Sequence, residues 1–170
     1  MKIEKIKVEN FRSLRNFSIE LEETLSLIVG KNNTGKTSLI EILNKFVNKS
    51  SIIEPDDFNI EYLKELEKNA KDESYEFITQ GVKLKIFIKY DEKDNLSNIS
   101  NFLTTLDPEN NYIILDFEYV LNEENFTLLK TDFMKFIHEN TEKDFEYFFR
   151  HKYKKYFKQI KRSLEYNIEK

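Results

Sequence analysis

The chain has 170 residues, 34% of them charged and 39% hydrophobic, with a formal net charge of −4 at pH 7 and no cysteine. That length supports one domain with a real core, or one lobe of a larger one; the balance excludes a disordered chain and does not advertise a nucleic-acid binder. Without cysteine there is no disulfide frame, thiolate metal site or cysteine nucleophile, and no apolar run suggests a membrane span or signal peptide, so a cytoplasmic location with no membrane partner is expected.

In chain order, Lys5-Ile6-Lys7-Val8-Glu9 alternates and predicts a first strand. Phe17-Ser18-Ile19-Glu20-Leu21 predicts a second, with a turn over Asn10 to Asn16 between them. Leu25-Ser26-Leu27-Ile28-Val29 is nearly continuously apolar, as in a strand buried on both faces. It leads into Gly30-Lys31-Asn32-Asn33-Thr34-Gly35-Lys36-Thr37, which fits the phosphate-loop pattern G-x-x-x-x-G-K-[ST] without a mismatch and holds two of the chain's 3 glycines. Leu39, Ile42, Leu43 and Phe46 then recur at helical spacing, so the loop has the strand before it and the helix behind it that such a loop needs.

The chemistry assigns the roles. Glycine permits a tight loop around phosphate oxygens. The backbone N–H groups from Asn33 to Thr37 would cradle the phosphates, with Gly30, Asn32, Thr34 and Gly35 shaping the loop. Lys36 would bring a point charge to the β- and γ-phosphates, and the Thr37 hydroxyl would ligate Mg²⁺. Ser38 is either a further phosphate contact or a solvated first-turn serine.

Two strands before the phosphate-loop strand is not the order of small nucleotide kinases and GTPases. The segments Asn10-Phe11-Arg12-Ser13 and Gly30-x-Asn32-x-x-Gly35-Lys36-Thr37 resemble the N-terminal part of RecF/SMC-like ABC-type ATPases, closest to the overcoming-lysogenization-defect (OLD) family. Pro55-Asp56-Asp57-Phe58 is similar to a later element of that family, though its own chemistry suits a structural turn with a buried aromatic. The strong likeness covers about the first 47 residues. It implies an α/β P-loop fold with a mixed sheet around the phosphate-loop helix, ATP and Mg²⁺ as ligands, and a composite site completed by a second copy or a partner ATPase half. It also implies that the signature and acidic strand come after a long helical insertion in which this chain ends. DNA would be a partner of the full-length protein, in DNA processing or phage defence. By the same resemblance Arg12 lies near the phosphates, a role its guanidinium suits; an exposed turn arginine is the alternative.

Farther on, residues 60–70 predict an amphipathic helix on Leu63 and Leu66. Gln80-Gly81 marks a turn, and Val82, Leu84, Ile86, Ile88 and Tyr90 alternate with lysines as a half-exposed strand. Leu96, Ile99, Leu103 and Leu106 suggest a helix, and Tyr112 to Val120 another strand. From Phe126 onward the pattern reads as helical and aromatic. One helix carries Phe126, Leu129, Phe133 and Phe136; Thr141-x-x-Asp144 resembles a capping box opening a second that runs to the end with Phe145, Phe149, Tyr156, Ile160 and Leu164 on one face. The expected division is a phosphate-loop lobe over 1–122 and a helical C-terminal extension over 123–170.

Ile113-Ile114-Leu115-Asp116 imitates the acidic strand of an ATPase, but Asp116 and Glu118 alternate with Leu115, Phe117 and Tyr119 as on a strand with one wet face, with Lys83, Lys85 and Lys89 as cross-strand partners. Gln80 is misplaced for a Mg²⁺-sensing glutamine, no signature segment is evident, and His138 and His151 read as helical surface or packing residues. No catalytic residue can therefore be named. The basic, aromatic stretch from Arg150 to Arg162 suits either nucleic acid or the solvated face of an amphipathic helix, and the helix is favoured. The reading is ATP binding without complete hydrolysis. Alternatives are a small stand-alone phosphotransferase using Asp116, or a nucleotide-bound interaction module.

Overall fold

A computed structural model describes residues 1–29, 31, 35–47, 52–91, 93–94 and 111–164. Its centre is a five-stranded sheet of β1 (Lys2–Phe11), β2 (Leu14–Glu20), β3 (Gln80–Lys89), β4 (Tyr112–Leu121) and β5 (Lys158–Leu164), in the order β2-β1-β3-β4-β5. Every pairing is antiparallel. Among the described residues four α-helices accompany it: α1 (Lys36–Val47), α2 (Ile60–Lys71), α3 (Glu123–Glu139) and α4 (Phe145–Lys152).

One face of the sheet is apolar because alternate residues of each strand point the same way. Ile6 and Val8, Leu84 and Ile86, and Tyr119 and Leu121 supply buried positions from β1, β3 and β4. Helix α1 lays Leu39, Ile42 and Phe46 onto this core, and the Phe46 ring meets Phe117 of β4 at 5.9 Å. α2 begins at Asn59, whose side chain accepts from the backbone N–H of Glu61 and Tyr62, and buries Tyr62, Leu66 and Ala70. Phe58 is the aromatic hub: its ring lies 5.0 Å from both Phe149 and Phe157 and 6.1 Å from Tyr119 and Tyr153. It is therefore the structural turn and buried aromatic the sequence suggested.

Strands β1, β3 and β4 and helices α2 and α3 lie where the periodicity placed them, give or take a few residues. Gly81 belongs to β3 rather than to a turn, paired with Val120 of β4, and an added Cβ would lie 2.3 Å from the Tyr119 carbonyl oxygen on that strand. The helix expected around Leu96 to Leu106 lies outside the described residues.

Three expectations need correction. The sheet is antiparallel among the described residues, not mixed, because residues 25–29 do not join it; Leu25, Leu27 and Val29 are each about four-fifths exposed, at 78%, 82% and 80%. The long C-terminal helix is not formed. Asp144 caps a helix of 8 residues, a short 3-10 turn follows, and Lys158–Leu164 pairs with β4 as a fifth strand. The C-terminal portion is then no helical extension: Phe149, Tyr153, Tyr156 and Phe157 are buried in the same core as β1, β3 and β4. Finally, Asp116 and Glu118 are not on a wet face. Both are buried, and Arg162 of β5 covers them, donating from Nη2 to Asp116 at 2.8 Å and to Glu118 at 3.1 Å. Lys83 and Lys85 do lie opposite Glu118 and Asp116 in the β3–β4 register, as expected of cross-strand partners, while the Lys83 ammonium sits 3.7 Å from Glu9.

Candidate nucleotide-binding site

The described part of the phosphate loop is Lys31 and the run from Gly35 into α1; Gly30, Asn32, Asn33 and Thr34 lie outside the described residues. Gly35 is buried with φ 90°, and its carbonyl accepts the first helical bond, from Leu39 N–H at 3.0 Å. A Cβ there would meet Leu14 Cδ2 at 2.5 Å and Ser13 Oγ at 3.1 Å. The second glycine of the motif is thus required by conformation and by the β1–β2 turn pressed against it. Lys36 Nζ donates to the Lys31 carbonyl at 2.8 Å, which folds the lysine back across the loop. Thr37 is exposed at the start of α1, where a hydroxyl can reach a ligand. The first turn of α1 carries no acidic residue, so nothing in it opposes an anion at the positive end of the helix dipole.

Ser38 is not the solvated first-turn serine, one of its two sequence alternatives. It is 8% exposed, and its Oγ lies 3.3 Å from Ser13 Oγ, so it is no solvated serine and helps seat the turn. Arg12 occupies that turn with φ 47°. Its guanidinium is held by Asp57, with Nε at 3.0 Å and Nη2 at 2.9 Å from Oδ1. The side chain is 36% exposed, and it lines a cavity of about 440 Å³ between α2 and α4 with Phe58, Leu63, Phe145 and Arg150. A second cavity of about 230 Å³ lies beside Lys36, walled by Phe17, Ile19, Ile28, Val29 and Leu39. Sequence reasoning missed the Asp57 partnership with Arg12; its signal is only a buried acid 45 residues from a turn arginine.

Asp116 cannot serve this loop. Its neighbour Phe117 faces α1, so by strand alternation Asp116 projects from the opposite face of the sheet. Gln80, at the start of β3, is bonded to Tyr75 Oη at 3.2 Å, and His151 is exposed on α4. Part of the basic stretch is engaged within the fold. Arg150 pairs with Asp56 and Glu146, Lys155 with Asp132, and Lys161 caps the Phe46 carbonyl at 2.9 Å, while Tyr153, Tyr156 and Phe157 are buried and unable to stack on bases. Among the described residues no cluster of three or more His, Cys, Asp or Glu side chains could hold a metal ion, and no helix is long and apolar enough to cross a membrane.

The helix that opens with the phosphate-loop motif lies beside a leading antiparallel strand pair, and similarity to known proteins supplies the class. The family model for the AAA ATPase domain matches residues 1–170, and the chain belongs to that family. Over 67 residues it is 40% identical to the endonuclease GajA of Bacillus cereus, covering 38% of this chain and 10% of that protein. It is 49% identical over 41 residues to the DNA replication and repair protein RecF of Chlorobium phaeovibrioides, 24% of this chain and 11% of the relative. It is also 46% identical over 44 residues to the DNA double-strand break repair Rad50 ATPase of Methanococcus maripaludis, 26% of this chain and 4% of that one. These matches fit a RecF/SMC-like ABC-type ATPase. The chain spans about a tenth or less of the length of each of these three relatives.

Proposed function

We propose that the chain binds MgATP as the phosphate-loop half of a composite ATPase head of the OLD or RecF/SMC-like kind, and does not complete hydrolysis alone. The observation that carries this reading is the unbroken Gly30–Thr37 motif, whose Gly35 is locked under the β1–β2 turn at the head of α1. The α1 N-terminus would receive phosphate oxygens, Lys36 would exchange the Lys31 carbonyl for them, and Thr37 would offer a hydroxyl to Mg²⁺. Bound Mg²⁺ would neutralise phosphate charge. Residues 25–29 support the half-site reading: an apolar run of strand composition lies exposed beside the loop, as expected of a strand whose sheet neighbours are supplied by another segment. A role in DNA processing is proposed at that level only, because RecF and Rad50 are DNA repair proteins and GajA is an endonuclease; phage defence enters only through the resemblance to the OLD family. The phosphotransferase alternative loses its acidic element, because Asp116 faces away from α1 and is paired with Arg162.

Fluorescence titration with a labelled ATP in the presence of Mg²⁺ tests the proposal. Saturable binding by the wild type, weakened at least about tenfold by Lys36→Ala, is expected, a change of about 1.4 kcal/mol. Absence of binding, or equal binding by the two proteins, would overturn it. Rapid multiple-turnover hydrolysis by the chain alone, lost in Lys36→Ala, would overturn the half-site part.

A further inference from the structure

Asp57 is 1% exposed, and every feature around it links the candidate phosphate site to the body of the domain. Its Oδ1 accepts from Arg12 Nε and Nη2, at 3.0 and 2.9 Å. Its Oδ2 receives Lys45 Nζ at 2.7 Å and Glu54 N–H at 2.9 Å. Its own carbonyl accepts Arg12 N–H at 2.8 Å, and two residues later Asn59 Nδ2 reaches the Arg12 carbonyl at 2.6 Å while Asn59 N–H reaches the Asn10 carbonyl at 2.9 Å. This fixes a turn in which Asn10 and Arg12 both have positive φ, 58° and 47°. Such backbone persists only when its surroundings hold it.

The held turn is the one that touches the phosphate loop. Ser13 and Leu14 lie against the Gly35 position, and Ser13 Oγ meets Ser38 Oγ. Lys45 lies in the last turn of the same helix that Gly35 starts. One carboxylate therefore grips α1 near its C-terminal end and, through Arg12, grips the turn that braces its N-terminal end. Two fixed points define the direction in which the helix aims its free N–H groups.

We propose that Asp57 is the positioning residue of the nucleotide site: by holding Arg12 and Lys45 together it sets the α1 N-terminus and Gly35 for phosphate binding. This rests on the MgATP reading above. Asp57 touches no ligand in this account; its effect passes through Arg12, Ser13 and α1.

The test is MgATP affinity measured at a temperature where each variant is fully folded, so that lowered global stability leaves the Kd unmoved. Asp57→Asn keeps an acceptor for Glu54 N–H and loses the charge on both cations. Its Kd should rise about tenfold, and Lys45→Met, which leaves Arg12 and the turn residues unaltered, should raise it about threefold. Should Asp57→Asn fail to fold, Lys45→Met carries the test. A wild-type Kd in the folded variant, or in Lys45→Met when that alone folds, overturns this proposal while leaving MgATP binding intact. Failure of the wild-type chain to bind MgATP overturns both.

Discussion

Single residues in this chain are legible in proportion to how local their reasons are. Gly35 belongs to a motif, and the motif names its backbone demand. Asp57 answers to Arg12 and Lys45, both far away in sequence, and Tyr62 to burial that its own neighbours do not announce. Tyr62 is 1% exposed, and its hydroxyl finds no hydrogen-bond partner among the described residues. A buried hydroxyl left unpaired costs about 1–3 kcal/mol, whereas the ring packs beside Phe58 at 6.2 Å with or without it. Tyr62→Phe should therefore raise stability by about 1 kcal/mol in urea unfolding at pH 7. The same burial, more than any neighbouring charge, pushes the Tyr62 phenol far above its ordinary value. A folded-state value raised above the unfolded one of about 10 gives stability that is complete below pH 10 and lost as pH climbs beyond it, by about 1.4 kcal/mol per unit per group. The phenylalanine variant should decline less steeply above pH 10. An unchanged alkaline slope, or a variant less stable at pH 7, would contradict the account.

At the scale of elements, the strands and helices that announce themselves share one property: their hydrophobic period has a single reading. Val82, Leu84 and Ile86 recur every two residues, and no helix does that. Tyr156, Ile160 and Leu164 recur every four, which keeps one face on a helix but also on a strand, because four is a multiple of two. The chain there has no glycine or proline to decide between them, and tertiary pairing does so. β4 offers an open edge and two buried carboxylates, and the segment that can supply Arg162 becomes β5. Asp144 outcompetes Thr141 as the cap for a similar reason of proximity, since it lies next to Phe145 and accepts from Tyr147 N–H at 2.9 Å. Arg162 should then be what pins β5. Removing one partner of a buried ion pair costs several kcal/mol, and the half-exposed position of Arg162 lowers the figure to about 2 kcal/mol. Arg162→Met should lose that much in chemical denaturation, and its edge amides over Lys158–Leu164 should exchange faster with deuterium than the same amides of the wild type. Equal protection in the two proteins would assign β5 to backbone pairing alone.

For the whole molecule, the most telling residues are those that the sequence and the fold treat differently. Residues 25–29 have the composition of a strand buried on both faces, yet Leu25, Leu27 and Val29 face solvent beside an antiparallel sheet that does not include them. The strand buried on both faces that this composition predicts is not formed here, because no ladder joins the segment to the sheet. Side chains about four-fifths exposed, as those of Leu25, Leu27 and Val29 are, add little to the stability of the described fold and favour association with any complementary edge. Replacing Leu25, Leu27 and Val29 with threonine, lysine and threonine should therefore leave unfolding free energy within about 0.5 kcal/mol of wild type, as for surface substitutions generally, while reducing concentration-dependent light scattering. A loss of several kcal/mol would instead mean that these residues are packed within this chain, and the phosphate loop would then be anchored on both sides by its own domain.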